Sequence, residues 1–333
     1  CWIRVTYSFT TAAAVGPSRP AAEAPPAWPA LACRGAGGLQ DETSGPLDAV
    51  IVHYRRDMGN ELAPIYSHLF AQLEPHTTVH VAVEGRAALD DLMAHLDRAG
   101  RPIRPFLQPL IVGREISGWS KDRFAAWRPR RAGPSLLLVP PPPTEATPAR
   151  VGDWHVPGEL AGTCPHRFAR LQLPLRFDGG DFAAADSLVL AGPRLLATNP
   201  HLAEGGRRSA SAVLSKLAGR RVVLLGGREG LLPEHHVNMF ALPLGEGRAL
   251  VGDVRLAVRL LEGQSAARAR LRELGASLDL SDECANRFDR AARILETEGL
   301  DVTRVPVLAS AGPLAYRPCV TYTNAFIEEL HSG

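Results

Sequence analysis

Pairs of short strand-like runs alternating with one helix-like stretch recur several times along this chain, and that rhythm limits the folds open to it. Ala49–Tyr54 is an apolar, β-branched run suited to a buried strand, and residues 61–73 carry the apolar spacing of an amphipathic helix. Thr78–Val83 and 87–99 repeat that strand and helix. After 103–110, short strands take over. They are expected at Ser135–Val139, 188–190, 194–198, 221–225 and 302–307, with a hairpin at 237–242 and 249–252 and a last strand at 320–327. Helices are expected at 209–217, 256–274 and 282–298. A β-β-α rhythm differs from the strict βαβ alternation of a dinucleotide fold, and no G-x-G-x-x-G follows the first strand. Pro140, Pro141, Pro142 and Pro143 offer no ladder donors, so 140–165 is expected to be a long surface loop.

The chain has 333 residues, 45% hydrophobic and 22% charged, which fits a soluble globular protein. Residues 1–46, rich in Ala, Pro, Gly and Ser, are expected to be disordered or a non-native leader, with 47–333 a single domain. A net charge of +2 gives no reason to expect a nucleic-acid partner. Lys121 and Lys216 are the only lysines, so Arg207-Arg208 and Arg220-Arg221 read as solvated surface in an arginine-rich chain. Five scattered cysteines without a C-x-x-C pair argue against a disulfide scaffold and for a reducing, cytoplasmic setting. No run of eighteen apolar residues occurs, so no membrane span is expected.

Three segments carry the chemistry. Asp178-Gly179-Gly180-Asp181 lies between apolar runs and sets two acids at the ends of a glycine turn. By itself it reads as a hairpin turn. Like charges held so close repel unless a cation sits between them. Glu234-His235-His236-Val237-Asn238 follows some fifty residues later. On a strand, His236 and Asn238 would share a face, with His235 on the other. That arrangement and the lack of a third ligand cluster speak against a metal, and no cofactor is expected. Trp119 and Asp122 form the third segment, an acid near an aromatic. Two carboxylates and a histidine suit a planar cation, above all a guanidinium, which meets a carboxylate through two parallel charge-assisted hydrogen bonds. Cys319, in Arg317-Pro318-Cys319-Val320, reads as a buried inert thiol.

In this order the segments resemble the guanidino-group-modifying superfamily, the penteins: agmatine and arginine deiminases, dimethylarginine hydrolases and amidinotransferases. Trp119-Ser120-Lys121-Asp122 is similar to the agmatine deiminase Trp-x-Arg-Asp segment. Phe177 to Phe182 resembles the Asp-Gly-Gly-Asp of dimethylarginine hydrolases and the Phe-Asp-Ala-Ala-Asp-Phe of amidinotransferases. Tyr322-Thr323-Asn324-Ala325-Phe326-Ile327 is similar to the Tyr-x-Asn-Phe strand of agmatine deiminases. The resemblance implies an α/β propeller of five ββαβ units. It also implies a cysteine thiolate that attacks the guanidinium carbon to give an amidino-thioether. In that scheme Asp122 and Asp178 clamp the guanidinium and His236 is the acid/base. Asp181 serves the substrate tail or braces the turn, and Trp119, Gly179, Gly180 and Asn238 line the substrate.

Two departures stand out. Asn238 replaces the family's acid two residues after the histidine, so it offers a hydrogen bond without negative charge. The family's nucleophilic cysteine lies in a Gly-rich loop beyond the Tyr-x-Asn strand, whereas nine residues follow Asn324 here. The expectation is therefore an incomplete last unit, with the nucleophile downstream, or a non-catalytic relative. The resemblance implies a small guanidino substrate such as agmatine, arginine or a derivative. Hydrolysis, amidino transfer and simple binding all stay open, and a homo-oligomer is compatible with the sequence.

Overall fold

The computed structural model describes residues 37–43, 47–130, 132–144, 147–185, 187–204, 206–226, 232–233, 236–273, 278–309 and 319–321. Of residues 1–46, expected to be disordered or a leader, 37–43 are described and hold a short strand with Leu39 buried; 1–36, 44–46, Glu234, His235 and the segment from Tyr322 onward lie outside the described residues. Two compact units make up the chain, one mainly from residues 45–179 and the other mainly from 180–327.

A short strand β1 (Gly37–Leu39) comes first. In the N-terminal unit, β2 (Ala49–Tyr54), β3 (Thr78–Val83) and β4 (Phe106–Ile111) form a parallel sheet in that order. Helices α1 (Gly59–Phe70) and α2 (Arg86–Ala99) are its crossovers, as parallel pairing requires. Every residue of β3 is buried, the polar Thr78 and His80 along with Val79, Val81, Ala82 and Val83, as suits the central strand of a parallel sheet. Next, β5 (Ala125–Pro129) and β6 (Ser135–Val139) pair antiparallel, and β7 (Phe168–Gln172) returns parallel to β6 after α3 (Pro148–Thr163).

The C-terminal unit repeats that second pattern twice. Strands β8 (Phe182–Ala184) and β9 (Leu188–Ala191) are antiparallel. Helices α4 (Pro193–Thr198), α5 (Pro200–Glu204) and α6 (Gly206–Ala218) then lead to β10 (Arg221–Leu224), parallel to β9. Strands β11 (Ala241–Gly245) and β12 (Arg248–Asp253) form the hairpin. Helices α7 (Val254–Leu261), α8 (Ser265–Glu273) and α9 (Asp282–Thr297) precede β13 (Asp301–Ala309), parallel to β12. Finally β14 (Cys319–Thr321) pairs antiparallel with β13. The fold is thus mixed α/β, built of several small sheets.

Four readings of the sequence are corrected. Most of the expected 140–165 loop is helix α3. Its buried positions are Ala149, Gly152, Asp153, Val156, Pro157 and Leu160, the i, i+3, i+4, i+7 stripe of a helix. Gly, Asp and Pro fill half of that stripe, so hydropathy does not reveal it. Pro148 opens the helix and the Thr147 side chain accepts from the Arg150 amide at 3.4 Å. Residues 194–198 are helix, not strand: Pro193 sits in the first turn, and Asn199 Nδ2 donates to the Leu195 carbonyl at 2.8 Å. The single helix expected at 256–274 breaks into α7 and α8 around Gly263, whose φ of 78° is costly for residues bearing a Cβ. Arg220 is no free surface cation, since its guanidinium donates to the Ala185 carbonyl and, at 2.8 Å, to the Leu39 carbonyl.

The core of the N-terminal unit joins Ala82, Leu110, Val112, Ile116, Leu137, Val156 and Leu160, with Phe124 packed against them. That of the C-terminal unit includes Val237, Phe240, Ala241, Val251, Phe288 and Leu295. Each fully buried large side chain contributes roughly 1.5–3 kcal/mol, so both cores hold the adjoining loops firmly. Among the described residues no helix is long and apolar enough to cross a membrane.

Candidate functional site

Within the N-terminal unit, the 117–124 loop is fastened at Ser117 to α3. The Ser117 amide donates to Asp153 Oδ1 at 2.7 Å and its hydroxyl to Asp153 Oδ2 at 2.6 Å. Gly152, beside Asp153, lets the helix approach the backbone at Glu115, because a Cβ there would overlap the Glu115 carbonyl. The Trp119 amide donates to Ser117 Oγ at 3.1 Å, and the half-buried Trp119 accepts at its carbonyl from the Asp122 amide at 3.4 Å. These bonds place Asp122, 5% exposed, deep in the loop.

Asp178 comes to the same loop. The Gly179 amide donates to the Asp122 carbonyl at 3.1 Å, and a Cβ on Gly179 would overlap the Lys121 and Phe124 carbonyls. Gly179 is therefore what allows the Asp178 backbone to lie on residues 121–124. Asp178 is 4% exposed. The two acids expected to clamp a guanidinium are thus brought together in one unit.

Two guanidinium groups already sit on them. Arg150 Nη1 lies 2.7 Å from Asp122 Oδ2 and 3.3 Å from Asp153 Oδ2, and Arg150 Nη2 is 3.9 Å from Asp178 Oδ1. Arg123 Nη1 donates to Asp178 Oδ1 at 3.0 Å. Behind them, His53 Nδ1 stands 3.0 Å from the Ser117 carbonyl and 3.5 Å from Asp153 Oδ1. Burial alone would raise Asp153, but hydrogen bonds with His53 and Ser117 hold its carboxyl below the usual carboxylate range. Burial disfavours the Arg150 cation, and the charges of Asp122, Asp178 and Asp153 more than offset it, so the guanidinium is held more firmly protonated. For Arg123 burial prevails over Asp178, and its pKa falls.

The remaining expected residues lie in the C-terminal unit. Gly180 fits closely against His236, since a Cβ would overlap the imidazole. His236 and Asn238 are both 6% exposed. They do not share a strand face, which corrects the sequence reading: Val237–Met239 is a single 3-10 turn, closed by the Met239 amide donating to the His236 carbonyl at 2.9 Å. The strand starts only at Ala241, because Val237 and Phe240 are drawn into the core. Asp181 is fully buried, with Arg194 Nε 4.0 Å from its Oδ1, and its carbonyl accepts from the Gly192 amide at 2.8 Å.

Sequence reasoning missed Arg123, Arg150, Asp153 and His53. Arg150 and Asp153 were hidden because their segment was read as loop; the Thr147-Pro148 start signal was the available clue. Cys164 and Cys284 are buried thiols, Cys164 Sγ accepting from Gln108 Nε2 at 3.2 Å and Cys284 lying in the α9 core. Among the described residues no cluster of three or more His, Cys, Asp or Glu is placed to hold a metal ion.

No protein-family model matches the chain, and no curated protein matches it. Solved structures do. An agmatine deiminase from C. jejuni matches with a TM-score of 0.59 at 12% identity, over 88% of this chain and 80% of that one. A Porphyromonas gingivalis protein assigned as an arginine deiminase matches with a TM-score of 0.59 at 16% identity, over 88% and 83%. The agmatine deiminase of Enterococcus faecalis matches with a TM-score of 0.55 at 14% identity, over 81% and 71%. The chain has the fold of these pentein-superfamily proteins.

Proposed function

We propose that the chain acts on a small guanidino compound as a C–N hydrolase of the agmatine or arginine deiminase kind. The observation that carries this reading is that Asp122 and Asp178, picked out by motif, converge in one unit on the same guanidinium group, that of Arg150. Buried carboxylates that can hold one planar cation can hold another of the same shape, and a low-dielectric setting strengthens the contact. The solved neighbours named as agmatine deiminases share the fold, which is compatible with this chemistry.

In this proposal Asp122 and Asp178 hold the guanidinium nitrogens and His236 supplies and removes protons. Trp119, Asp181, Asn238, Gly179 and Gly180 shape the substrate's surroundings. The thiolate that attacks the guanidinium carbon in this reading is neither Cys164 nor Cys284, because both are buried, and no described side chain is assigned that role. The finer architecture, one propeller domain over 47–333 with five such modules, belongs to the same proposal; three ββαβ repeats support it. Asn238 favours a second reading, a binding protein of this fold without turnover.

Incubating the protein with agmatine, arginine and methylated arginines and measuring ureido product tests the first reading. Turnover of at least one guanidine, lost in Asp178→Ala, is expected. Calorimetric binding without product would select the second reading, and neither binding nor product would remove both.

A further inference from the structure

Arg150 is the residue that the motifs do not account for. It stands in the first turn of α3, and its guanidinium reaches three acids, Asp122, Asp153 and Asp178. Asp153 is already committed to both polar groups of Ser117 and to His53. Asp122 and Asp178 are the other two acids that Arg150 reaches.

We propose that Arg150 is a resident guanidinium that sets the specificity of this carboxylate pair: it competes with any free guanidino compound, which binds only as far as Arg150 swings away. The inference rests on reading Asp122 and Asp178 as a guanidinium clamp. Three observations support it. Arg150 presents the same planar cation a guanidino ligand would bring, and a further guanidinium beside both Arg150 and Arg123 would meet like-charge repulsion. Its side chain is 20% exposed against 8% for Asp122 and 6% for Asp178, so the arginine, unlike the acids, has a path toward solvent. Arg123 remains on Asp178 when Arg150 leaves, so the acids are not stripped of every cation.

The arithmetic favours the tethered group. A group held on the same chain acts at an effective concentration of roughly millimolar. Free ligand affinity is weakened in proportion to the fraction of molecules in which the pair is closed. Removing the competitor also takes one positive charge away from Asp122 and Asp178, which favours an incoming cation.

Isothermal calorimetry of agmatine with the wild-type chain, Arg150→Met, Arg150→Lys and the double variant Arg150→Met/Asp178→Asn tests this. Arg150→Met should bind agmatine at least about tenfold more tightly than wild type, since each tenfold of closure hides a tenfold of affinity. Arg150→Lys should fall between, because an ammonium meets one carboxylate rather than two. The gain should vanish in the double variant. Wild type binding as tightly as Arg150→Met overturns the competitor role while leaving the clamp reading intact. No binding by any form, with native circular dichroism throughout, overturns the clamp reading and this inference with it. If Arg150→Met does not fold, Arg150→Lys decides: tighter binding than wild type supports the proposal, and equal or weaker binding overturns it.

Discussion

Asp178 and Asp181 close the two ends of one four-residue segment, both are buried, and yet their surroundings differ. Asp178 faces Arg123 at 3.0 Å and Arg150 at 3.9 Å, in a network that continues through Asp122, Asp153 and His53. Asp181 has Arg194 at 4.0 Å, a side chain 40% exposed, and lies beside the Val237 turn that carries His236. The glycines between them differ in the same sense. Gly179 leaves room for two backbone carbonyls, Gly180 for an imidazole ring. One side of the segment lies against backbone carbonyls and a charge network, the other against an imidazole ring.

The largest test of that contrast is Arg150→Ala against Arg194→Ala. The first removes a partner from buried acids and should cost about 3–5 kcal/mol in urea denaturation. The second breaks a long, partly exposed pair and should cost under about 1 kcal/mol. Equal losses would mean the two acids are held alike.

A smaller effect separates the glycines. Gly179→Ala sets a methyl against fixed carbonyls and should cost about 1–3 kcal/mol. Gly180→Ala sets its methyl against a side chain rather than backbone carbonyls, so it should cost less and should shift the His236 imidazole resonances. An unmoved His236 in Gly180→Ala would refute the packing.

The smallest effect is confined to acid. Asp153 has a depressed folded pKa, so it contributes stability that is present above its unfolded value, about 3.9, and lost as pH falls through the lower folded value. Asp153→Asn should flatten the acid limb of stability below about pH 4. An acid limb left unchanged in Asp153→Asn would remove Asp153 from the acid sensitivity.

Much of the framework was legible. Thr78–Val83 and Asp282–Thr297 follow from a β-branched run and from helical period, and the hairpin β11–β12 from two apolar runs around a Gly-Glu-Gly turn. The Asp122 and Asp178 segments were legible too, as acids beside an aromatic and a glycine pair. Helix α3 was not, because a buried stripe holding Gly152, Asp153 and Pro157 answers to close backbone approach and ion pairing, which hydropathy does not measure. The His236 turn was not either, because Val237 and Phe240 look like strand residues until the core that claims them is known.

By itself the sequence determined where the short strands and helices lie and which acids and glycines stand at their junctions, since local periodicity and backbone freedom are properties of neighbours along the chain. Only the tertiary structure decided what those acids touch. Arg150 reaches Asp122 and Asp178 because α3 packs on Ser117 through Asp153 and on the Glu115 backbone through Gly152, and the partner of a buried charge is fixed by such packing across distant residues.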